Sequence, residues 1–531
     1  MSPREALSDL TNDVLSSSSN SPTRGKRRAD DHNIASKRAK LTEGNTTGEA
    51  EEVGKHGDVE MLETASIRMS VRRCQPSVYA SLHALRLGDP TARRLFSLPT
   101  ISILESFVSS NGADLFKCQS LDSNSFLTPP YACAYSNASK RGQGSILAIA
   151  TEQGTVDILS TAKRRDWDPE GTRITLQIHN NGIFDVKWSP SDSYVATASG
   201  DRSICITDPQ SSTGTALHNL NAGHSSTVKC VTWDPLHNDL LASGGRDGCI
   251  CLWDLRVGNQ VAHSQDEGDG RRKPVMSIPY AHEIVASKPT KKGRVVLAPR
   301  SVTSLAYLED APYEIISSGS GDGIIRKWDL RLTSSSPKKR GKKPASILPI
   351  DNAEEDLTTL PSDLPSAGLL FSPRRARGII SMALGMGPSA GRIFALSNDS
   401  RVHTYNTSGA VGIPLSVPQA DQAYTHRHMA TNSFYVRTVV SPCGRWLASG
   451  GAGGSAFLFD ISVGGEEKLG MQGVELKGQE GEVGAVDWAD GALATCADDG
   501  TVRIWRPDIE RYRMCMDNPV EAKWDWTWGK M

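Results

Sequence analysis

The chain of 531 residues lacks an excess of either charge: 59 Lys and Arg against 60 Asp and Glu leave a formal −1. No global field draws such a chain to nucleic acid or a membrane, so any electrostatic steering is local. It also lacks long apolar runs, and its polar N-terminus has no apolar signal core. The sequence therefore predicts a soluble, intracellular protein with no membrane partner. Its ten cysteines are scattered, and the closest two, Cys249 and Cys251, alternate along one expected strand. That spacing fits neither a metal knuckle nor a disulfide scaffold, and it points to a reducing compartment. There is no Walker loop, G-x-S-x-G elbow, H-E-x-x-H or paired C-x-x-C, so neither catalysis nor a cofactor is expected.

What the chain has instead is a repeat. Residues 242–256 (ASGGRDGCICLWDLR) and 317–331 (SSGSGDGIIRKWDLR) lie over each other, placing Ser243 on Ser318, Asp247 on Asp322, Trp253 on Trp328 and Arg256 on Arg331. Each copy is a tight Gly/Asp turn leading into an alternating run that ends in Trp-Asp, as in a strand pair of a propeller blade. Seven such units are legible, at 131–159, 184–208, 223–254, 301–329, 379–406, 434–460 and 483–506. Their Trp-Asp positions end at 160, 208, 254, 329, 406, 460 and 506, giving spacings of 48, 46, 75, 77, 54 and 46. Four spacings sit near the WD-repeat period, and two carry about thirty extra residues. The expected fold is all-β: a seven-bladed WD-repeat β-propeller over 130–510, closed so that no long sheet edge is left open.

Around the ring, residues 1–66 are too polar to order themselves and read as a disordered tail. Lys26, Arg27 and Arg28, then Lys37, Arg38 and Lys40, form two basic clusters across a polar spacer, a bipartite nuclear localisation signal. Residues 67–129 form an extension with short helical character, through Val78, Leu82, Leu85 and Leu87 and then Leu95, Leu98, Ile101, Ile103 and Leu104. Such an arm either packs on the propeller edge or docks on a partner. Insertions at about 258–299 and 332–376 are basic and low in complexity, as loops on one face are. Ser21, Ser336 and Ser372 each precede Pro with a basic residue close behind, the form cyclin-dependent kinases prefer, and are candidate phosphorylation sites. Residues 511–531 hold Trp524, Trp526 and Trp528, which share one side if extended and either fill a groove or present a stripe.

His224, Ser243, Asp247 and Trp253 of the third unit are spaced to form one buried hydrogen-bond chain. In the seventh unit Gln479 stands in the His position, and Gly453 replaces the turn Asp of the sixth, so those units are expected to lean on apolar packing. A Ser-His-Asp set in this repeat context is structural rather than catalytic. Glu152, Arg246 and Asp498 precede the turn positions of units one, three and seven and are expected at the opposite end of the ring from the Trp-Asp termini. Because units one and seven become neighbours on closure, Glu152 and Asp498 form an expected acidic notch for a basic substrate residue.

Trp253, Asp254 and Arg256, with Trp328, Asp329 and Arg331, resemble the WDxR signature of substrate receptors of the cullin-4 RING ubiquitin ligase. The arginine fork, two residues past the strand end, is placed to engage an adaptor protein. The strings PPYACAYS, IHNNGIFDVKW, GGRDGCICLWDLR, SVTSLAY, DGIIRKWDLR, NSFYVRTVVSP and ATCADDGTVRIWR, in this order over about 130–506, are similar to the denticleless family. The resemblance implies a non-catalytic receptor in the nucleus. It would bridge cullin-4 and its adaptor, of the damaged-DNA-binding-protein type, to replication-licensing and cell-cycle substrates on the DNA-loaded sliding clamp. Members from animals carry a long C-terminal tail with a clamp-binding motif. Here the chain ends about 25 residues after its last unit with no Q-x-x-[ILM]-x-x-aromatic-aromatic motif, and its long N-terminal extension resembles a fungal-type version. Neither direct clamp binding nor direct sequence-specific nucleic-acid binding is expected. The rival class is a nuclear scaffold that binds chromatin or replication proteins without a ligase.

Overall fold

The computed structural model describes residues 100–122, 126–211, 215–257, 272–285, 297–308, 311–321, 323, 325–331, 353–356, 378–407, 423–462 and 473–530. The basic clusters at 26–28 and 37–40, Asp322, Ser21, Ser336 and Ser372 lie outside the described residues.

Blade one pairs Pro130–Tyr135, Ile146–Thr151, Thr155–Ser160 and Ile174–Gln177, each antiparallel to the next. Blades two (Ile183–Trp188 to His218–Leu220), three (Val228–Trp233 to Met276–Ile278) and four (Val302–Leu308 to Ala353–Asp356) repeat that order. Blade five has three strands, Ile379–Leu384, Arg392–Ser397 and Arg401–Asn406, with a Val402–Tyr424 bridge standing for a fourth. Blade six runs from Thr438–Val440 to Val474–Lys477, and blade seven is built on Val483–Ala489, Ala492–Ala497 and Thr501–Pro507. Each first strand lies against the first strand of the next blade, and that of blade seven lies against that of blade one, which closes the ring. Two outer strands, Met276–Ile278 and Ala353–Asp356, come from within the insertion spans. No helix among the described residues is long and apolar enough to cross a membrane.

Strands between two blades are covered on both faces, which explains their small-residue runs. Val195–Ser199 (VATAS) and Ala492–Ala497 (ALATCA) are buried at every position. Ala or Thr lets neighbouring blades approach, and the larger Ile and Leu side chains fill the space between them. Repeated polar staples lock adjacent blades. The Trp188, Trp233 and Trp488 indoles donate to carbonyls of the preceding blade, at Ala134 (2.9 Å), Lys187 (3.2 Å) and Val439 (3.2 Å). Asp185 accepts Val231 N–H at 3.0 Å, and Asp487 accepts Tyr135 N–H at 2.6 Å across the closing boundary. Turn geometry needs glycine where blades crowd: Gly454 has φ +73°, and a Cβ there would lie 1.8 Å from the Gln479 carbonyl.

Closure uses segments far apart in the chain. Phe107–Ser110 and Leu115–Lys117, from the N-terminal extension, both pair with Thr501–Pro507 and supply the outer edge of blade seven. The C-terminal strand Trp526–Lys530 then pairs on one side with Phe107–Ser110 and on the other with Val474–Lys477 of blade six. Phe107 is fully buried, edge-on to Trp446 (6.0 Å) and Trp488 (5.7 Å). The three C-terminal tryptophans do not share one stripe: Trp524 ends the helix Pro519–Asp525 and is exposed, whereas Trp528 is buried against Val108 and Cys515.

Candidate protein-interaction site

The third-unit chain of polar side chains is present. His224 Nε2 meets Ser243 Oγ at 2.8 Å, His224 Nδ1 meets the Asp247 carboxylate at 3.2 Å, and Trp253 donates its indole N–H to Ser243 Oγ at 2.8 Å. Burial works to lower the His224 pKa, but the bonds and charges of Asp247 and Cys251 outweigh it and raise it to about 9. Blade two holds a version that the sequence reading passed over, His179 with Thr197 (2.8 Å) and Asp201 (2.9 Å), although Thr207 replaces the tryptophan.

Two expectations need correction. In blade four the hydroxyl that receives the Trp328 indole and meets His282 Nε2, both at 2.8 Å, belongs to Ser317 and not Ser318. Register explains the slip: Ser243 faces Cys251, two before its tryptophan, and Ser317 faces Arg326, two before Trp328. The turn of blade four is therefore one residue longer, and aligning the strings on tryptophan moves the serine by one. Blade seven, in turn, does not surrender its network to apolar packing. Gln479 Oε1 accepts from Thr495 Oγ1 at 2.6 Å, its Nε2 donates to the Thr501 carbonyl at 3.0 Å, and Trp505 donates to Thr495 Oγ1 at 3.0 Å. An amide has both a donor and an acceptor and can stand in for a neutral imidazole.

At the Trp-Asp end of the ring, Trp253 and Trp328 are 2% and 3% exposed, so they hold the blades and cannot themselves touch a partner. The arginines three residues on are different, with side chains 59% (Arg256) and 62% (Arg331) exposed. Arg256 grips Asp254 through Nε (2.9 Å) and Nη2 (2.8 Å), and Arg331 grips Asp329 through Nε (2.9 Å) and Nη2 (2.6 Å). These bonds hold both carboxyls below their ordinary range, Asp329 at about 2. Tyr313, exposed beside Arg331 with the guanidinium 5.5 Å from its ring centroid, was not singled out from the sequence.

The opposite end of the ring is shaped by a bulge near the start of the first strand. The register slips between Pro130 and Ala132, Ile183 and Asp185, Val228 and Cys230, Val302 and Ser304, Ile379 and Ser381, and Val483 and Ala485. A bulge re-aims the extra side chain. In blades one and two the bulged residues Tyr131 and Phe184 stack at 5.6 Å with planes 6° apart. Arg437 of blade six crosses to the Phe184 carbonyl (2.8 Å) and the Lys229 carbonyl (3.0 Å). Gly484 has no side chain at the same position of blade seven, and the Tyr435 ring lies there, 4.9 Å from Tyr131. Tyr435 donates to Asp498 at 3.1 Å, and burial with the nearby Glu152 charge pushes the Tyr131 pKa up, so the two adjacent tyrosines lie between the carboxylates of blades one and seven. Burial, then the nearby Glu482 charge, pushes the Asp498 pKa up despite the Tyr435 bond. Arg246 stands in the turn of blade three, two blades from Glu152, with its main-chain N–H on the Thr227 carbonyl. The sequence signal for this aromatic mouth was an aromatic at one repeat position in PPYACAY and GIFDVKW, with Tyr435 of SFYVRT one residue ahead of the matching Val436.

A propeller with His–Ser–Trp chains and Trp-Asp strand ends is a WD-repeat protein, and the family model "WD domain, G-beta repeat" matches residues 170–208, 214–254, 294–329, 423–460 and 471–506. Whole-chain comparisons are narrower. The chain is 28% identical over 436 residues to "Denticleless protein homolog" of Danio rerio, covering 80% of this chain and 58% of that one. It is 27% identical over 399 residues to "Protein lethal(2)denticleless" of Drosophila melanogaster, covering 72% and 45%. It is 29% identical over 384 residues to "Cell division cycle protein cdt2" of Schizosaccharomyces pombe, covering 69% and 67%. The chain is a WD-repeat protein similar to those of denticleless type, and it spans about half the length of the animal relatives it matches.

Proposed function

We propose that this chain is the substrate-recognition subunit of a cullin-4 RING ubiquitin ligase, working in the nucleus and itself non-catalytic. On this reading it joins cullin-4 and its adaptor to replication and cell-cycle proteins bound to the sliding clamp. The observation that carries the proposal is the pair of matched, outward arginines at the rim of adjacent blades, Arg256 and Arg331. Each is already ordered by its own aspartate, so docking freezes little further side-chain freedom. Tyr313 supplies an exposed aromatic anchor next to Arg331. Residues 1–66 serve nuclear import, and Ser21, Ser336 and Ser372 are regulatory phosphorylation sites.

The substrate face is the mouth at the other end, where Glu152 and Asp498 sit behind Tyr131 and Tyr435. Carboxylates behind tyrosine rings favour a cationic substrate side chain through charge and cation–π attraction. The test is affinity purification from replicating cells with the wild-type chain, with Arg256→Ala/Arg331→Ala and with Glu152→Lys/Asp498→Lys. The rim variant should melt as the wild type does and lose adaptor and cullin. The mouth variant should keep both and lose substrate ubiquitination. Retained adaptor in the rim variant overturns the rim, and a wild-type pull-down without cullin overturns the ligase reading in favour of a scaffold.

A further inference from the structure

On the side of blade six, away from both faces, three potential metal ligands converge. One nitrogen each from His426 and His428 and one carboxylate oxygen of Glu475 lie within 4.8 Å of one another. We propose that these residues form a site for a borderline divalent cation, best suited to zinc, that clasps the segment entering blade six to that blade's outer strand.

The donor set has the composition that zinc takes, two imidazoles and one carboxylate, and it leaves a coordination position for water or a partner's donor. The three residues come from two elements: His426 and His428 follow the Tyr424 bridge to blade five, and Glu475 lies on Val474–Lys477. Their orientation is supported. Ser455 donates to Glu475 Oε1 at 2.6 Å, and the other oxygen, Oε2, meets His428 Nδ1 at 2.8 Å. His426 packs against Phe457 with ring centroids 5.1 Å apart. A hydroxyl bracing the carboxylate and a ring fixed by packing are what a metal site requires around its ligands.

Ligand atoms about 2.0–2.2 Å from zinc stand roughly 3.3 Å apart in tetrahedral geometry. The separations must therefore close by at most about 1.5 Å, within the rotamer freedom of the exposed His428 ring. Zinc would take the position of the hydrogen between His428 and Glu475, with the imidazole keeping its proton on the other nitrogen. Arg427 lies between the two histidines in sequence, and Lys530 faces Glu475 across the sheet. Because of that pairing, the metal would also steady the C-terminal strand that locks blades six and seven.

The experiment uses the full chain, zinc chloride as probe, and the variants His428→Ala and Glu475→Gln, both at partly exposed side chains. Zinc content after equilibrium dialysis and the visible d–d absorption of a cobalt(II) substitute are measured. Wild type should hold one equivalent more than either variant, with affinity weakened at least tenfold in each. Zinc should also raise the melting temperature of wild type alone and slow amide exchange at 526–530. Equal stoichiometry and affinity in wild type and variants, or no zinc-dependent gain in wild-type melting temperature, overturns the site.

Discussion

Blades three and seven carry the same tryptophan at the end of the third strand, yet the arginine beyond it has opposite fates. Arg256, three residues past Trp253, stands 59% exposed and pairs with Asp254. Arg506, next to Trp505, is 19% exposed, pairing with Asp114 and donating to the Thr161 carbonyl at 2.5 Å. The seam consumes its rim cation in closing the ring, because the N-terminal extension brings Asp114 to it. At the rim of blades three and four the arginines instead pair with their own aspartates and keep 59% and 62% of their side chains exposed. The polar chains differ as well: an imidazole whose pKa is raised in blade three, an uncharged amide in blade seven. The offset from the tryptophan, together with the segments that closure brings beside it, decides whether an arginine is structural or outward-facing.

The sharpest way to break this comparison is at the seam. Phe107→Ala removes a fully buried ring from the borrowed strand and should cost about 4 kcal/mol in a urea titration. A cost under about 1 kcal/mol would mean that the ring closes without that strand. Next, Arg506→Ala leaves the half-buried Asp114 without its cationic partner and should destabilise by about 2 kcal/mol. Ser243→Ala and Thr495→Val each delete a hydroxyl that two partners use, and each should cost about 2 kcal/mol by thermal melting. A far cheaper Thr495→Val would restore apolar packing as the mainstay of blade seven.

The pH dependence separates the two networks further. The folded His224 pKa, about 9, lies above its ordinary 6.5, so its contribution is complete below pH 6.5 and is lost as pH rises through 9. Between those limits stability should fall by up to about 1.4 kcal/mol per pH unit for this one proton. His224→Gln should flatten that slope, and Gln479→His, beside Asp499, should steepen it. The smallest effect belongs to the rim: Arg256→Ala with Arg331→Ala should leave the melting temperature at that of the wild type.

Much of the ring was legible because a blade's inner strands follow from local pattern. The alternating runs, the Gly/Asp turns and the Trp-Asp endings mark the first three strands of blades one to seven near their observed places. The third-unit polar chain was legible for the same reason, since its members recur at fixed offsets. Ser317 was misplaced because one extra turn residue leaves the tryptophan aligned and shifts the serine. Gln479 was undervalued because a letter change hides that an amide keeps both hydrogen-bonding roles. Trp524 was grouped with Trp526 and Trp528 because periodicity cannot mark where the helix Pro519–Asp525 gives way to a strand.

By itself the sequence determined the class, the repeat and the residues placed at each strand end, all set by interactions between near neighbours. Tertiary structure alone decided that residues 107–110 and 526–530 pair and complete the ring. It also decided that Gly484 makes room for Tyr435 between two carboxylates, and that His426 and His428 meet Glu475. Those partners lie tens to hundreds of residues apart, and no local pattern records an encounter that exists only once the blades have closed.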